Sequence, residues 1–326
     1  GTGYIRGLIL SLTKDEPDLA LCYPQPIAPN PRTLPMPDRY RHTDLIACTS
    51  ALFAAAGLDK PIADAVAHIL VEADLLGYAT HGLQFVPAYI AGIEAGRTAT
   101  SGEPDILADR GGALSLDGRM LPGQWVVLRA LDMALDRLRD HPVVCVSVRH
   151  SENISCLATY VKKAAQAGAM AILTTSSPGN RAVAPYGGRE ARYSTNPIAF
   201  GIPTDDGPIL IDTSTSSTTN RMIERTQRTG GKLKQPVLID NQGHPSDDPA
   251  AFFADPPGAI MPAGGLEQGH KGFAFAILVE ALTPSARRRA TSPRPAAPHP
   301  RSTRQPRSAF RETARWRFMR SRQRKA

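Results

Sequence analysis

Thr283 divides the chain into a part that can bury a core and a part that cannot. Residues 283–326, "TPSARRRATSPRPAAPHPRSTRQPRSAFRETARWRFMRSRQRKA", hold almost no aliphatic side chains and follow "GHKGFAFAILVEALT" without a helix cap. Such a composition cannot offset the entropy of ordering a chain. The charge breaks at the same place. Residues 287–326 carry 13 Arg and Lys325 against Glu312, a surplus of +13, so residues 1–286 carry −5 of the +8 total. The basicity therefore belongs to a tail, which offers phosphates a salt-dependent contact, but with sparse aromatics (Phe310, Trp316, Phe318) and no folded reader module. At the other end, residues 1–35 hold six prolines and no sustained periodicity, and read as extended or disordered. Met36 reads as a fresh start, and the tail as a frameshift product from near codon 283.

Between these ends the sequence reads as α/β. "RHTDLIACTSALFAAAGL" predicts a helix capped at Thr43 and stopped at Gly57. In "KPIADAVAHILVEADLLG", Ile62, Val66, Ile69, Ala73 and Leu76 make one stripe, with Pro61 in the first turn and Gly77 at the end. A third helix is expected over much of 83–96, with Pro87 in its first turns. "EPDILADRGGALSLDG" predicts a hairpin turning at Arg110-Gly111-Gly112, and Leu128, Leu131, Leu135 and Leu138 share one helix face after it. "PVVCVSV", a helix over about 156–167 and "AMAILTT" predict a βαβ unit, with further strands at "PIAFGIP" and "GPILIDTS". The expectation is a mixed sheet flanked by helices and disordered termini. Its parts are a 1–35 extension, a helical N-terminal subdomain over 36–110, an α/β region over 111–283 and the 284–326 tail.

Several chemistries lack their sequence marks. There is no GxGxxG after a strand, no GxxxxGK[ST], no GxSxG and no HExxH pairing among the eight histidines. No apolar run reaches the roughly 20 residues of a spanning helix, so no membrane association is expected. Cys22, Cys48, Cys145 and Cys156 show no CxxC or zinc spacing, and with no signal peptide legible at "GTGYIRGLIL" they point to a reducing cytoplasm. No metal is expected.

What remains is Thr80-His81-Gly82 and three loop clusters rich in Gly, Pro, Ser and Thr at 176–203, 209–220 and 261–272. A lone histidine beside a helix is commonly a packing residue. It is also the side chain that titrates near neutrality and can exchange a proton with a substrate oxygen. The clusters read either as ordinary turns or as backbone N–H groups, hydroxyls and one cation, Lys271, gathered for a pyrophosphate-bearing cofactor.

The order "THGLQFVPAY … APYGG … STNPIAFGIP … LIDTSTS … LIDNQGHPSDDP … MPAGG … GHKGFAFAILVEAL", from about 38 to 283, resembles the type-2 malate/L-lactate dehydrogenase family. The resemblance implies a non-Rossmann nicotinamide-binding fold, NAD or NADP as cofactor, a small 2-keto or 2-hydroxy acid as substrate and a homodimer. It makes His81 the proton donor to the carbonyl and Thr80 its orienting hydroxyl. Thr195 of "STNP" becomes a substrate contact, and Asn153, Ile154, Ser155, Cys156, Leu157, Asp212, Thr213, Ser214, His270 and Lys271 become cofactor contacts. The chain also departs from the family. Phe85 stands at a substrate-binding place where many members carry a carboxylate-gripping arginine. Asn153 and Ser155 replace the histidine and glycine of "SxHxG". Met222, after Arg221, stands where imine-reducing members have an aspartate and weighs against that branch. Two other readings follow: a truncated, inactive relative, and a phosphate or nucleic-acid binder acting through the tail.

Overall fold

The computed structural model describes residues 40–177 and 179–283. The sequence readings for 1–35 and for the basic tail lie outside them. The chain divides into two compact units. Of the described residues, the first holds 40–176, 196–214 and 278–283, and the second holds 177–195 and 215–277.

The first unit opens with three helices: α1 (His42–Ala55), α2 (Lys60–Leu75) and, after a 3-10 turn at Leu83–Phe85, α3 (Val86–Glu94). Helix α1 begins one residue before the expected cap. Arg41 is extended at its start, and the Thr43 hydroxyl donates instead to Asp44. Pro61 and Pro87 sit in first turns, where their missing N–H has no intrahelical partner to lose.

Helix α2 buries the predicted stripe from Ile62 to Ala73 and more, while Leu76, the last residue of that stripe, is the C-cap and is half-buried. Ala63, Ala67, Leu70 and Val71 are buried along with Ile62, Val66, Ile69 and Ala73. It serves three hydrophobic clusters: Ile62, Val66 and Leu70 pack with Phe53, Phe85 and Leu121, Ile69 packs with Ile154, Leu157 and Tyr160, and Ala73 packs with Cys156 and Ala158. One stripe of spacings marks only the deepest line of a helix wrapped on several sides.

Strands β1 (Asp105–Asp109) and β2 (Ala113–Asp117) form the expected hairpin, antiparallel with a bulge between Ile106 and Ala108. Helix α4 (Gly123–Arg137) then leads to β3 (Cys145–Arg149), which pairs parallel to β2. Its buried residues are Gly123, Gln124, Val126 and Ala130, and the leucines of the predicted face, Leu128, Leu131, Leu135 and Leu138, are half-buried.

The expected βαβ unit is also corrected. Helix α5 (Ala158–Gln166) joins β3 to β4 (Ala171–Thr174), but these strands lie in different sheets. The parallel crossover is β2-α4-β3 instead. Apolar runs of strand length carry no mark of which sheet they join. The second sheet is antiparallel, in the order β4, β5 (Ile198–Ile202) and β6 (Ile209–Thr213). Gly201 lets α5 lie on it, because a Cβ there would stand 2.1 Å from the Val161 carbonyl oxygen. On the opposite face, Ile172, Phe200 and Ile211 stand in register, with Ile172 and Ile211 exposed.

In the second unit, α6 (Asn220–Arg228) and a small antiparallel sheet of β7 (Leu238–Ile239), β8 (Pro245–Ser246) and β9 (Ala259–Ile260) surround a core of Val183, Tyr193, Ile223, Leu238 and Ile260. Helix α7 (Gly265–Leu282) ends the described chain. The class is α/β, with a mixed first sheet and helices flanking it, though the strands form three small sheets rather than one. No helix among the described residues is long and apolar enough to cross a membrane.

Candidate active site

Helix α2 closes with Gly77 at φ +87°, and the chain turns back so that the His81 N–H donates to the Tyr78 carbonyl at 2.7 Å. An acid in the last turn of a helix faces the negative end of the helix dipole and gains nothing from it. Asp74 is such a residue, and it acts on the loop. One oxygen of its carboxylate accepts the Leu83 N–H at 2.9 Å. The other lies where any side chain at position 82 would go, since a Cβ on Gly82 would come within 2.0 Å of Asp74 Oδ1. Gly82 is thus what lets the histidine loop close on its helix. Thr80 Oγ1 lies 2.9 Å from His81 Nδ1, and the imidazole is half-buried.

Phe85 is buried, 6% exposed, within the first core. Its ring stacks on Tyr89 at 5.2 Å and meets the His81 ring at 6.0 Å. The place that could hold a cation for a carboxylate holds an apolar wall beside the imidazole instead.

The stretch 153–157 reaches the same loop. Asn153 is exposed, whereas Ile154, Ser155, Cys156 and Leu157 are all buried. The last four can offer a ligand backbone only. Ser155 has φ +61°, which explains the glycine expected there. A side chain in that conformation costs on the order of 1–3 kcal/mol. The Ser155 hydroxyl donates to the His81 carbonyl, and the Asn153 Oδ1 atom accepts the Ser155 N–H at 2.8 Å and the Tyr89 hydroxyl at 2.8 Å.

Asp212, at the end of β6, caps the start of α5 by accepting the Ala158 N–H at 2.9 Å, and takes a weaker bond from the Cys156 thiol at 3.5 Å. Burial, then the Asp212 charge, pushes the Cys156 thiol up to about 12. Burial and the same carboxylate raise Tyr78 above the ordinary phenol range. Cys156 therefore stays a thiol across the physiological range and is no nucleophile. Thr213 is exposed and Ser214 half-buried.

Thr195, His270 and Lys271 belong to the second unit. The Thr195 carbonyl accepts both the Thr215 N–H at 3.0 Å and the Thr215 hydroxyl at 3.1 Å. The Thr215 carbonyl in turn takes the Ala263 N–H, and Ser217 bonds Met261 and Pro262. Parts of the three loop clusters are thus joined to one another. The His270 ring meets Tyr186 edge-on at 5.6 Å, and His270 and Lys271 are both exposed near the start of α7. In the first unit, buried Asn196 has φ +43° and donates to Glu280 at 2.8 Å, so within "STNP" the asparagine fastens the backbone.

Asp74, Tyr89 and Gln124 were not expected from the sequence. The misplaced acid at a helix end and the spacing of four between Phe85 and Tyr89 were the available signals. Gln124, 1% exposed in the first turn of α4, had none.

A sequence model of malate/L-lactate dehydrogenase matches residues 40–313, thirty residues beyond Thr283. An L-lactate dehydrogenase of Cupriavidus necator is 33% identical over 235 residues, 71% of this chain and 66% of the relative. A malate/(S)-sulfolactate dehydrogenase of Methanothermus fervidus is 29% identical over 70% of this chain and 65% of its own length. The aligned chain thus spans slightly less than two thirds of these curated relatives. Among solved structures, a putative malate/lactate dehydrogenase from E. coli superposes with a TM-score of 0.71 at 27% identity, covering 75% of this chain and 68% of that one. Malate dehydrogenase from Pyrococcus horikoshii gives 0.67 at 28% identity, over 74% and 66%. The chain belongs to the malate/L-lactate dehydrogenase family.

Proposed function

We propose that the chain is an NAD(P)-dependent oxidoreductase interconverting a small 2-keto acid and its 2-hydroxy acid. The observation that carries this reading is the His81 imidazole, engaged at Nδ1 by Thr80 on a loop closed against α2 by Asp74. An imidazole fixed at one ring nitrogen can exchange a proton at the other. His81 Nε2 gives a proton to the substrate oxygen during reduction and takes it back during oxidation. The bound nicotinamide supplies or accepts the hydride. Phe85 limits water beside the imidazole and leaves recognition of the carboxylate to other residues.

The exposed Asn153 amide and Thr213 hydroxyl suit the ribose hydroxyls and amide of a nicotinamide dinucleotide, and the buried residues 154–157 shape the backbone beside it. Thr195, His270 and Lys271 keep the substrate and cofactor roles implied by the resemblance, Lys271 as a cation for phosphate. The homodimer is tested by sedimentation of the full chain. Relatives named for lactate, malate and sulfolactate set the first substrate panel.

The test is oxidation of NADH and NADPH with pyruvate, oxaloacetate and sulfopyruvate. His81→Ala should lower kcat by about 10²–10⁴-fold with cofactor affinity unchanged. Full turnover by that variant ends the reading. The second reading, a relative that keeps the fold without turnover, is favoured by the buried Phe85, and NADH that binds saturably but is never oxidised would establish it.

A further inference from the structure

We propose that Ser155 is a positioning residue: with Asn153, Tyr89 and Gln124 it forms a clamp that fixes the main chain and ring of His81. The proposal deepens the reading of His81 as the acid/base and rests on it.

Position 155 lies in the left-handed region at φ +61°, where glycine is the residue without strain. A serine there needs something for its hydroxyl to do. Its Oγ, on a side chain only 4% exposed, donates to the carbonyl of His81, 74 residues away in the chain. A local turn would explain a bond to residue 153 or 157, but not one to the histidine loop. Asn153 Oδ1 completes the arrangement with both of its lone pairs, one for the Ser155 N–H and one for the Tyr89 hydroxyl, each at 2.8 Å. Tyr89 then accepts from Gln124 Nε2 at 3.1 Å, which gives a buried amide a partner.

From Tyr89 the clamp has two arms. One is the chain of hydrogen bonds through Asn153 and Ser155 to the His81 backbone. The other is the ring stack through Phe85 to the imidazole, with centroids 5.2 Å and 6.0 Å apart. The first holds the peptide and the second limits the swing of the ring. Asp74 holds Leu83, two residues further on, from the helix side. The replacements Asn153 and Phe85 thus become parts of one device.

Ser155→Gly separates positioning from folding, because glycine accepts the left-handed backbone while the hydroxyl is lost. In the full chain its Tm should be no lower than that of the unsubstituted protein. Amide exchange over residues 81–85, followed by mass spectrometry, should be faster by about tenfold, with α1 and the first turns of α2 unchanged. Tyr89→Phe should act in the same direction with a smaller effect. Where turnover is measurable, kcat should fall about tenfold. Exchange over 81–85 that matches the unsubstituted chain in both Ser155→Gly and Ser155→Ala overturns the clamp. Acceleration spread equally through α1 and α2 also overturns it, by showing a general packing role. His81→Ala with full turnover would instead remove the acid/base reading, and the exchange measurements would still decide the clamp.

Discussion

The two units hold their candidate residues by different means. In the first, three hydrophobic clusters share one helix, and side chains fix the histidine loop to that helix and to residue 155, Asp74 to Leu83 and Ser155 to the His81 carbonyl, while Thr80 engages the imidazole within the loop. In the second, main-chain bonds join one loop to the next, from Thr195 to Thr215 and from Thr215 to Ala263. A single titratable group whose position matters to a fraction of an ångström suits the first arrangement. A broad lining of N–H groups and hydroxyls for an extended ligand suits the second.

Substitutions can break or sharpen that contrast. The largest effect is expected where helix packing has no room. Gly201→Ala sets a Cβ against the Val161 backbone, which cannot swing aside as a side chain would, and should cost about 3 kcal/mol or more in denaturant unfolding. A loss below about 1 kcal/mol would mean that α5 adjusts on its sheet far more easily than a packed interior allows. In the second unit, Thr215→Val keeps the shape and the main-chain bonds but removes the hydroxyl given to Thr195, for an expected loss of about 1 kcal/mol. A loss as large as that of Gly201→Ala would erase the distinction. The smallest effect is chemical. Cys48 and Cys145 are exposed, and iodoacetamide should label them at pH 8 while Cys156 stays unlabelled in the folded chain. Since burial and the Asp212 charge raise its pKa, deprotonating Cys156 works against folding, so stability from this group is fully present at neutral pH and falls as pH rises from about 9 to about 12. Labelling of Cys156 at the rate of the exposed thiols would show that the α5 start opens readily.

The strongest periodic signals in the sequence survive in the structure: the α2 stripe, the prolines in first turns and the hairpin at Gly111. They depend on local geometry, which a window of residues contains. Sheet membership depends on partners distant in the chain, so β3 and β4 looked like one unit and are not. The half-buried leucines of α4 show a related limit, since periodicity gives a face but not what covers it.

Within the candidate site, His81 and the loop clusters were visible as unusual composition. The residues that hold His81 are not, because in the sequence each lies in a different element and only the folded contacts bring it to the loop: Asp74 at a helix end, Tyr89 on a helix face and Gln124 in a first turn. Ser155 shows where reading by resemblance helps. The resemblance expects glycine at this position, and φ +61° in the structure is the backbone constraint behind that expectation.

The attachment of Gly82 and Leu83 to Asp74 ties the imidazole to the interior. Asp74 rides on the same turn of α2 as Leu70 and Ala73, both at 0% exposure. Enlarging or shrinking a neighbour of that turn would shift the carboxylate, and the loop would follow as a rigid lever. Under the proposed function, the position of the imidazole would therefore answer to oily residues that touch no ligand.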